Sequence, residues 1–316
     1  MRRSVRLSAI AAGAALLLTA AVSGCSSTDN SNTSPATGPV IVTSTDVWGA
    51  IAKSVAGDHA TVKVLFTSAT GDPHEFTPSA ADSAQIADAN IVLLNGAHYD
   101  QYLTDAQKGK DATVIDAAAF AGITGADHAD EHGAHVHHGS KQPNEHVFYN
   151  FTAVRRVSGA LADALSKRAP DHAADFRRNA EGFGKEIDGL QAKVDAIAAK
   201  HRGTKVVQTE PLGGYLLQAA GLVDAAPPAF TAAVEEGESP SAADRAALDD
   251  LLTSHTAKAL LYNAQSTDDV TVAVRTTAEK AGVPVVTMTE TLPQGVTSYT
   301  QWQGAQIDAL AQALDK

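Results

Sequence analysis

PDHAADFRRNAEGFGKEIDGLQAKVDAIAAKH, residues 170–201, sets the layout of the whole chain. Phe176, Ala180, Phe183, Ile187, Leu190, Val194 and Ile197 follow one another at alternating spacings of four and three. Such spacing lays one apolar stripe along a single helix. Pro170 suits the first turn and Gly203 marks the stop. At ~1.5 Å per residue the helix runs roughly 45 Å, longer than a small domain is wide. The same stripe would suit a coiled-coil partner, but it covers few heptads and an α/β pattern lies on each side of it. The stretch reads as a stiff connector along which two lobes pack.

From Pro39 the chain alternates between strand and helix. PVIVTSTD, TVKVLF, NIVLLNG and ATVIDA read as strands, with VWGAIAKSVAGD and SAADSAQIADA as helices between them. Beyond the long helix, TKVVQTE, KALLYNA and VPVVTMTE are strands; PLGGYLLQAAG, SAADRAALDDLLTSH, VTVAVRTTAEKAG and QWQGAQIDALAQALDK are helices. Apolar strand runs between helices imply parallel sheets. The expected fold is α/β: two lobes, 39–169 and 202–316, each a mostly parallel sheet flanked by helices, joined by the rigid helix 170–201.

The two halves echo each other. Thr77-Pro78-Ser79-Ala80-Ala81-Asp82 returns as Ser239-Pro240-Ser241-Ala242-Ala243-Asp244, each followed by an amphipathic helix and an apolar strand ending in Asn. Thr77 and Ser239 fit helix N-caps with proline at the first helical position. Paired α/β halves about a rigid helix imply a ligand cleft between lobes, at the carboxyl ends of the strands.

Residues 1–24 read as a signal peptide: three arginines, an apolar run too short for a membrane span, then small residues before Cys25. Val22-Ser23-Gly24-Cys25 resembles a bacterial lipobox, which implies cleavage before Cys25 and lipid attachment to its sulfur. Cys25 is the only cysteine, so the rest of the chain has no disulfide and no thiolate metal site. Residues 25–38 are polar and read as a flexible linker behind the lipid anchor. The formal charge of −12 becomes about −15 without the leader arginines. An acidic surface of this kind argues against nucleic acid and draws cations.

Candidate ligands fall at the strand ends. His74 follows TVKVLF, Glu210 ends TKVVQTE, Glu290 ends VPVVTMTE, and His146 precedes a helical run. Two imidazoles and two carboxylates can close a site around one divalent ion. Each residue taken alone is an ordinary loop histidine or surface glutamate. Glu236 stands where the echo places the counterpart of His74. A second signal is DHADEHGAHVHH, 127–138, inside a low-complexity loop at 125–145. Its His128, His132, His135, His137 and His138 suit weak, fast-exchanging zinc binding.

GDPHEFTPSAAD, ADANIVLLNGAHYD, NEHVFYN, VVQTEPLGGYLLQAAGL, GESPSAADRAAL and TETLPQG, in this order and spacing, resemble the metal-specific solute-binding lipoproteins of bacterial ABC importers, the zinc and manganese group. The resemblance runs from Val40 to the C-terminal helix. It implies two α/β lobes joined by one long helix, with His74, His146, Glu210 and Glu290 holding the ion between them. Two departures stand out: NEHVFYN lacks the usual Asp-Pro-His start, and Glu290 replaces the usual aspartate.

The resemblance further implies an extracytoplasmic, lipid-anchored monomer that delivers Zn2+ or Mn2+ to a membrane permease and its ATPase. Zinc is favoured: a carboxylate at the third position suits manganese, but the histidine loop resembles the zinc members and raw affinity favours zinc. Protonating the histidines below about pH 6 should weaken binding. The alternatives are the same scaffold around a larger ligand, such as a metal chelate, or a zinc-dependent hydrolase. Scarce aromatics argue against the first. The lack of His-Glu-x-x-His or Gly-x-Ser-x-Gly argues against the second, and the expectation is no enzyme.

Overall fold

A computed structural model of the protein describes residues 38–106, 111–123 and 143–316. The leader, Cys25, the linker up to residue 37 and His128, His132, His135, His137 and His138 lie outside the described residues.

Two four-stranded parallel sheets carry the fold. The first contains β1 (Val40–Thr45), β2 (Thr61–Phe66), β3 (Ile91–Leu94) and β4 (Thr113–Asp116) in the order β2-β1-β3-β4. The second contains β5 (Lys205–Gln208), β6 (Val223–Asp224), β7 (Leu260–Asn263) and β8 (Val285–Met288) in the order β6-β5-β7-β8. The sheets repeat one topology, so the echo in sequence is an echo in fold. β3 and β7 are buried throughout, as their unbroken apolar runs require of strands covered on both faces. β6 is a two-residue, exposed edge strand that gives no sequence signal.

The helices before the connector are α1 (Asp46–Ala56), α2 (Ala80–Ala87), α3 (Gln101–Ala106), α4 (Ala117–Phe120) and α5 (Phe151–Arg168). The connector, α6, spans Ala173–His201. It is followed by α7 (Gly214–Ala219), α8 (Pro228–Glu235), α9 (Ala242–Thr253), α10 (Asp269–Ala281) and α11 (Tyr299–Leu314).

α6 begins three residues later than the sequence suggests, because Pro170–His172 forms a separate 3₁₀ turn. That turn is fastened to the first lobe: His172 stacks on His59 with ring centroids 3.8 Å apart, and His59 Nε2 lies 3.2 Å from Asp175 on α6. Phe176, Phe183, Ile187, Leu190, Val194 and Ile197 are buried, with Ala180 partly so. They belong to one continuous core that takes in Trp48 and Leu93 of the first lobe and Val206, Leu216 and Trp302 of the second. Burying each large apolar side chain contributes about 1.5–3 kcal/mol, so the stripe ties both lobes to one rod. Separate clusters, around Val42 and Val92 and around Phe230 and Leu252, fill the far faces of the two sheets.

The repeated helices are capped two residues later than expected, at Ser79 and Ser241 rather than Thr77 and Ser239. Ser79 Oγ accepts from the Asp82 amide at 3.2 Å while the Asp82 carboxylate accepts from the Ser79 amide at 2.8 Å. This reciprocal box satisfies two amides at once, which a cap at Thr77 would not. Ser241 accepts from the Asp244 amide at 3.1 Å in the same register.

Candidate metal centre

Three of the candidate ligands follow parallel strands, and the fourth, His146, precedes a helix. His74 lies in a 3₁₀ turn, Pro73–Glu75, after β2; Asp72 caps that turn by accepting from the His74 amide at 2.8 Å. His146 precedes the turn Val147–Tyr149 that leads into α5. Glu210 follows β5 and Glu290 follows β8.

Three of the four expected residues come together. His74 Nε2 lies 3.3 Å and His146 Nε2 3.6 Å from Glu290 Oε2. One donor atom from each of the three falls within 4.8 Å of the others. Glu210 falls outside that radius but feels the charges of Glu290, Glu235 and His146. It is 3% exposed, and its Oε1 has no hydrogen-bond partner among the described residues. His146 and Glu290 are fully buried, whereas His74 keeps 27% of its side chain open.

Neighbours fix these groups. Asn144 Oδ1 accepts from the His146 amide at 2.9 Å and lies 3.0 Å from its Nδ1. With Nδ1 held by Asn144, Nε2 is the ring nitrogen that faces the cleft; it has no hydrogen-bond partner among the described residues and offers its lone pair to a metal once its proton leaves. Glu290 accepts from the Tyr99 phenol at 2.8 Å and from Asn263 Nδ2 at 2.7 Å. Asn263 ends β7. Its counterpart Asn95, after β3, donates 2.8 Å to the carbonyl of Glu145, the residue before His146. The echoed asparagines therefore brace the site from both lobes. Tyr99 is held by an unusual backbone: Gly96, Ala97 and His98 all have positive φ, with Asp100 accepting from the amides of Asn95 and Gly96 at 2.6 and 2.9 Å.

Sequence reasoning missed two carboxylates. Glu235, the last residue of α8, places Oε1 3.7 Å from His146 Nε2, and its Oε2 is buried without a hydrogen-bond partner among the described residues. Glu145 places Oε1 3.7 Å from His74 Nδ1. The echo pointed one residue too far: Glu236 is exposed, and its neighbour enters the cleft.

The electrostatics follow from burial and crowding. Burial pulls the His74 imidazole down, but Glu290, Glu145 and Glu235 together outweigh it and raise the pKa to about 10. Burial likewise lowers His146, and Glu235, Glu290 and Glu145 lift it to about 9. Burial alone would raise Glu290, yet the two histidines hold it well below the usual carboxylate range. Burial, reinforced by Glu290 and Glu235, pushes Glu210 up to about 8. Burial raises Glu235 to about 7 against the pull of His146.

The cleft thus gathers carboxylates and imidazoles, several with one buried atom left unpaired among the described residues. His146 Nε2, Glu210 Oε1 and Glu235 Oε2 are buried donors with nothing bonded to them among the described residues. Leaving such atoms unpaired is costly, and a divalent cation can engage nitrogen and oxygen lone pairs together.

Among curated relatives, the zinc-binding protein AdcA of Streptococcus pyogenes serotype M3 (strain ATCC BAA-595 / MGAS315) is 24% identical over 246 residues, covering 73% of this chain and 46% of that protein. The manganese-binding lipoprotein MntA of Halalkalibacterium halodurans is 23% identical over 175 residues, covering 53% of this chain and 52% of that one. The chain spans about half the length of each. The solved structure of the laminin-binding protein Lmb of Streptococcus agalactiae, 20% identical, superposes with a TM-score of 0.68 over 88% of this chain and 100% of that one, a likeness of fold. The family model for ZnuA, the periplasmic component A of zinc-uptake complexes, matches residues 41–313. Covering both lobes and the connector, that match shows that the chain belongs to the ZnuA family.

Proposed function

We propose that this protein is the extracytoplasmic receptor of an ABC importer, taking one divalent transition-metal ion in the cleft between its lobes. His74 and His146 supply nitrogen, Glu210 and Glu290 supply oxygen, and the two carboxylates balance the charge of the ion. The observation that carries this reading is the convergence of His74 Nε2 and His146 Nε2 on Glu290 Oε2, at 3.3 and 3.6 Å, with Glu290 and His146 fully buried.

Zinc is the favoured cargo over manganese. Two imidazoles among the donors suit zinc, and the Irving–Williams order sets zinc above manganese at such a site. The names of AdcA and MntA support the pair of metals. Delivery to a permease and its ATPase belongs to the same reading, as do the monomeric state, lipid attachment at Cys25 and weak auxiliary zinc binding by the loop histidines. Among the described residues no helix is long and apolar enough to cross a membrane.

Calorimetric titration of metal-free protein with Zn2+ and Mn2+, with His74→Ala beside it, tests the proposal. Tight binding of one ion, lost in the variant, supports it. Unchanged tight binding in His74→Ala removes the site.

A further inference from the structure

The cleft holds two sets of donors, and they overlap. His74, His146 and Glu290 form one; His74, Glu145 and Glu235 form the other, again with one donor atom from each within 4.8 Å. The sets differ in access. The side chains of His146 and Glu290 are wholly buried, whereas Glu145 is 18%, Glu235 16% and His74 27% exposed. An ion arriving from solvent meets the second set first. Both sets also draw on both lobes: His74 and Glu145 come from the first, Glu235 and Glu290 from the second.

We propose that His74, Glu145 and Glu235 form an outer metal subsite, which takes the incoming divalent ion and passes it inward to His146 and Glu290. The proposal rests on the metal-receptor reading of the cleft. A hydrated divalent ion sheds its water at a cost, and burial in one step would strip the shell before the inner ligands were engaged. Carboxylates that keep part of their surface open to solvent can bind an ion that still keeps several waters. His74 belongs to both sets, so the ion can exchange ligands one at a time without being released. Glu235 links them further, since its Oε1 already lies 3.7 Å from the inner His146 Nε2 and its Oε2 is buried without a hydrogen-bond partner among the described residues. A purely structural role would have Glu145 steady the His74 ring and Glu235 add background charge. In that case removing any nearby carboxylate would act alike.

The test is stopped-flow capture of Zn2+ by metal-free protein, read against a competing fluorescent zinc chelator. The parent is compared with E145Q, E235Q and E236Q. Glu236 is exposed beside Glu235, so E236Q removes the same unit of charge without removing a donor of the set. The histidine-rich loop is present in all four proteins and its contribution cancels. The outer subsite predicts capture slowed about tenfold in both E145Q and E235Q, beyond the modest loss of electrostatic steering in E236Q. Equal rates in the three variants overturn it. If E235Q does not fold, E145Q carries the comparison alone. Equilibrium titration of E290Q separates the two claims. If E290Q binds as tightly as the parent, the cleft reading itself fails. If E290Q loses the ion while E145Q and E235Q load at the rate of E236Q, only the outer subsite fails.

Discussion

The phenol of Tyr99 donates a 2.8 Å hydrogen bond to Glu290, joining the two halves of the chain across 191 positions. The next two residues repeat the pattern. Thr291 Oγ1 donates to the carbonyl of Ser68 at 2.7 Å, and the Leu292 amide donates to Asp46 Oδ1 at 3.1 Å. The loop after β8 is therefore stitched to the first lobe residue by residue, and Glu290 is the member of that seam that faces the cleft.

Removing the Tyr99 hydroxyl takes a charge-assisted bond from a fully buried carboxylate. Tyr99→Phe should lower the stability of the metal-free protein by about 1.5–3 kcal/mol. Urea unfolding checks this, with a change of less than about 0.5 kcal/mol marking the bond as dispensable.

The pH dependence differs from that of ordinary histidines. In the metal-free cleft His74 keeps its proton to about pH 10 and His146 to about pH 9, because carboxylates outweigh burial at each. A metal must displace both protons, so affinity rises with pH, most steeply below about 8, where Glu210 is protonated as well, and levels off only above about 10. Calorimetry at pH 7 in buffers of different ionisation enthalpy should return about two released protons or more. A value near zero contradicts the assignment.

The same shifts act on stability. Raised histidine pKa values contribute stability that is complete below about 6.5 and fades as pH rises through 9 and 10. Glu210, raised to about 8, acts in the same direction: the folded state holds a proton that the unfolded chain releases at lower pH. Glu290, lowered, adds stability that is lost only in acid. The melting temperature of metal-free protein should therefore fall between pH 6.5 and 10, and added zinc should restore more of it as pH rises. A melting temperature that climbs over this range without metal counts against the cleft charges described.

Asn144 sets the tautomer of His146 and also donates 2.7 Å to the carbonyl of Pro211 across the cleft. Asn144→Ala frees the ring and should weaken zinc binding about 10–100-fold, as loss of a ligand-orienting partner commonly does. Competition with a chelator of known affinity measures the change.

Gly96 carries φ 78, and a Cβ there would stand 2.0 Å from Asp116 Oδ1. Gly96→Ala should cost about 2–4 kcal/mol, combining left-handed strain with a clash. Gly122, with φ 87 and nothing within 4 Å of an added Cβ among the described residues, provides the comparison: alanine there meets the conformational penalty of about 1–2 kcal/mol. Equal losses at the two positions would remove the steric part of the argument.

Much of the fold was legible because its signals are local and periodic. The stripe on α6 and the apolar runs of β3 and β7 each state their own burial. The short edge strand β6 has too few residues to carry a pattern, and the caps at Ser79 and Ser241 depend on which hydroxyl reaches a free amide. The proposed ligands His74, His146, Glu210 and Glu290 stood out in the sequence because they follow strands or precede helical runs. Glu235 was not. One residue along a helix turns a side chain by about 100°, so the choice between Glu235 and Glu236 rests on where α8 meets the cleft. Glu145 was hidden by adjacency to His146, since only the cleft geometry shows it facing His74.

The central claim is that one ion is shared by side chains from both lobes. Anomalous diffraction at the zinc edge, from crystals of the zinc-loaded protein, tests it most directly. The account predicts a single strong peak within bonding distance, about 2.0–2.2 Å, of His74, His146, Glu290 and Glu210. Bound zinc with no peak among these four residues would contradict it.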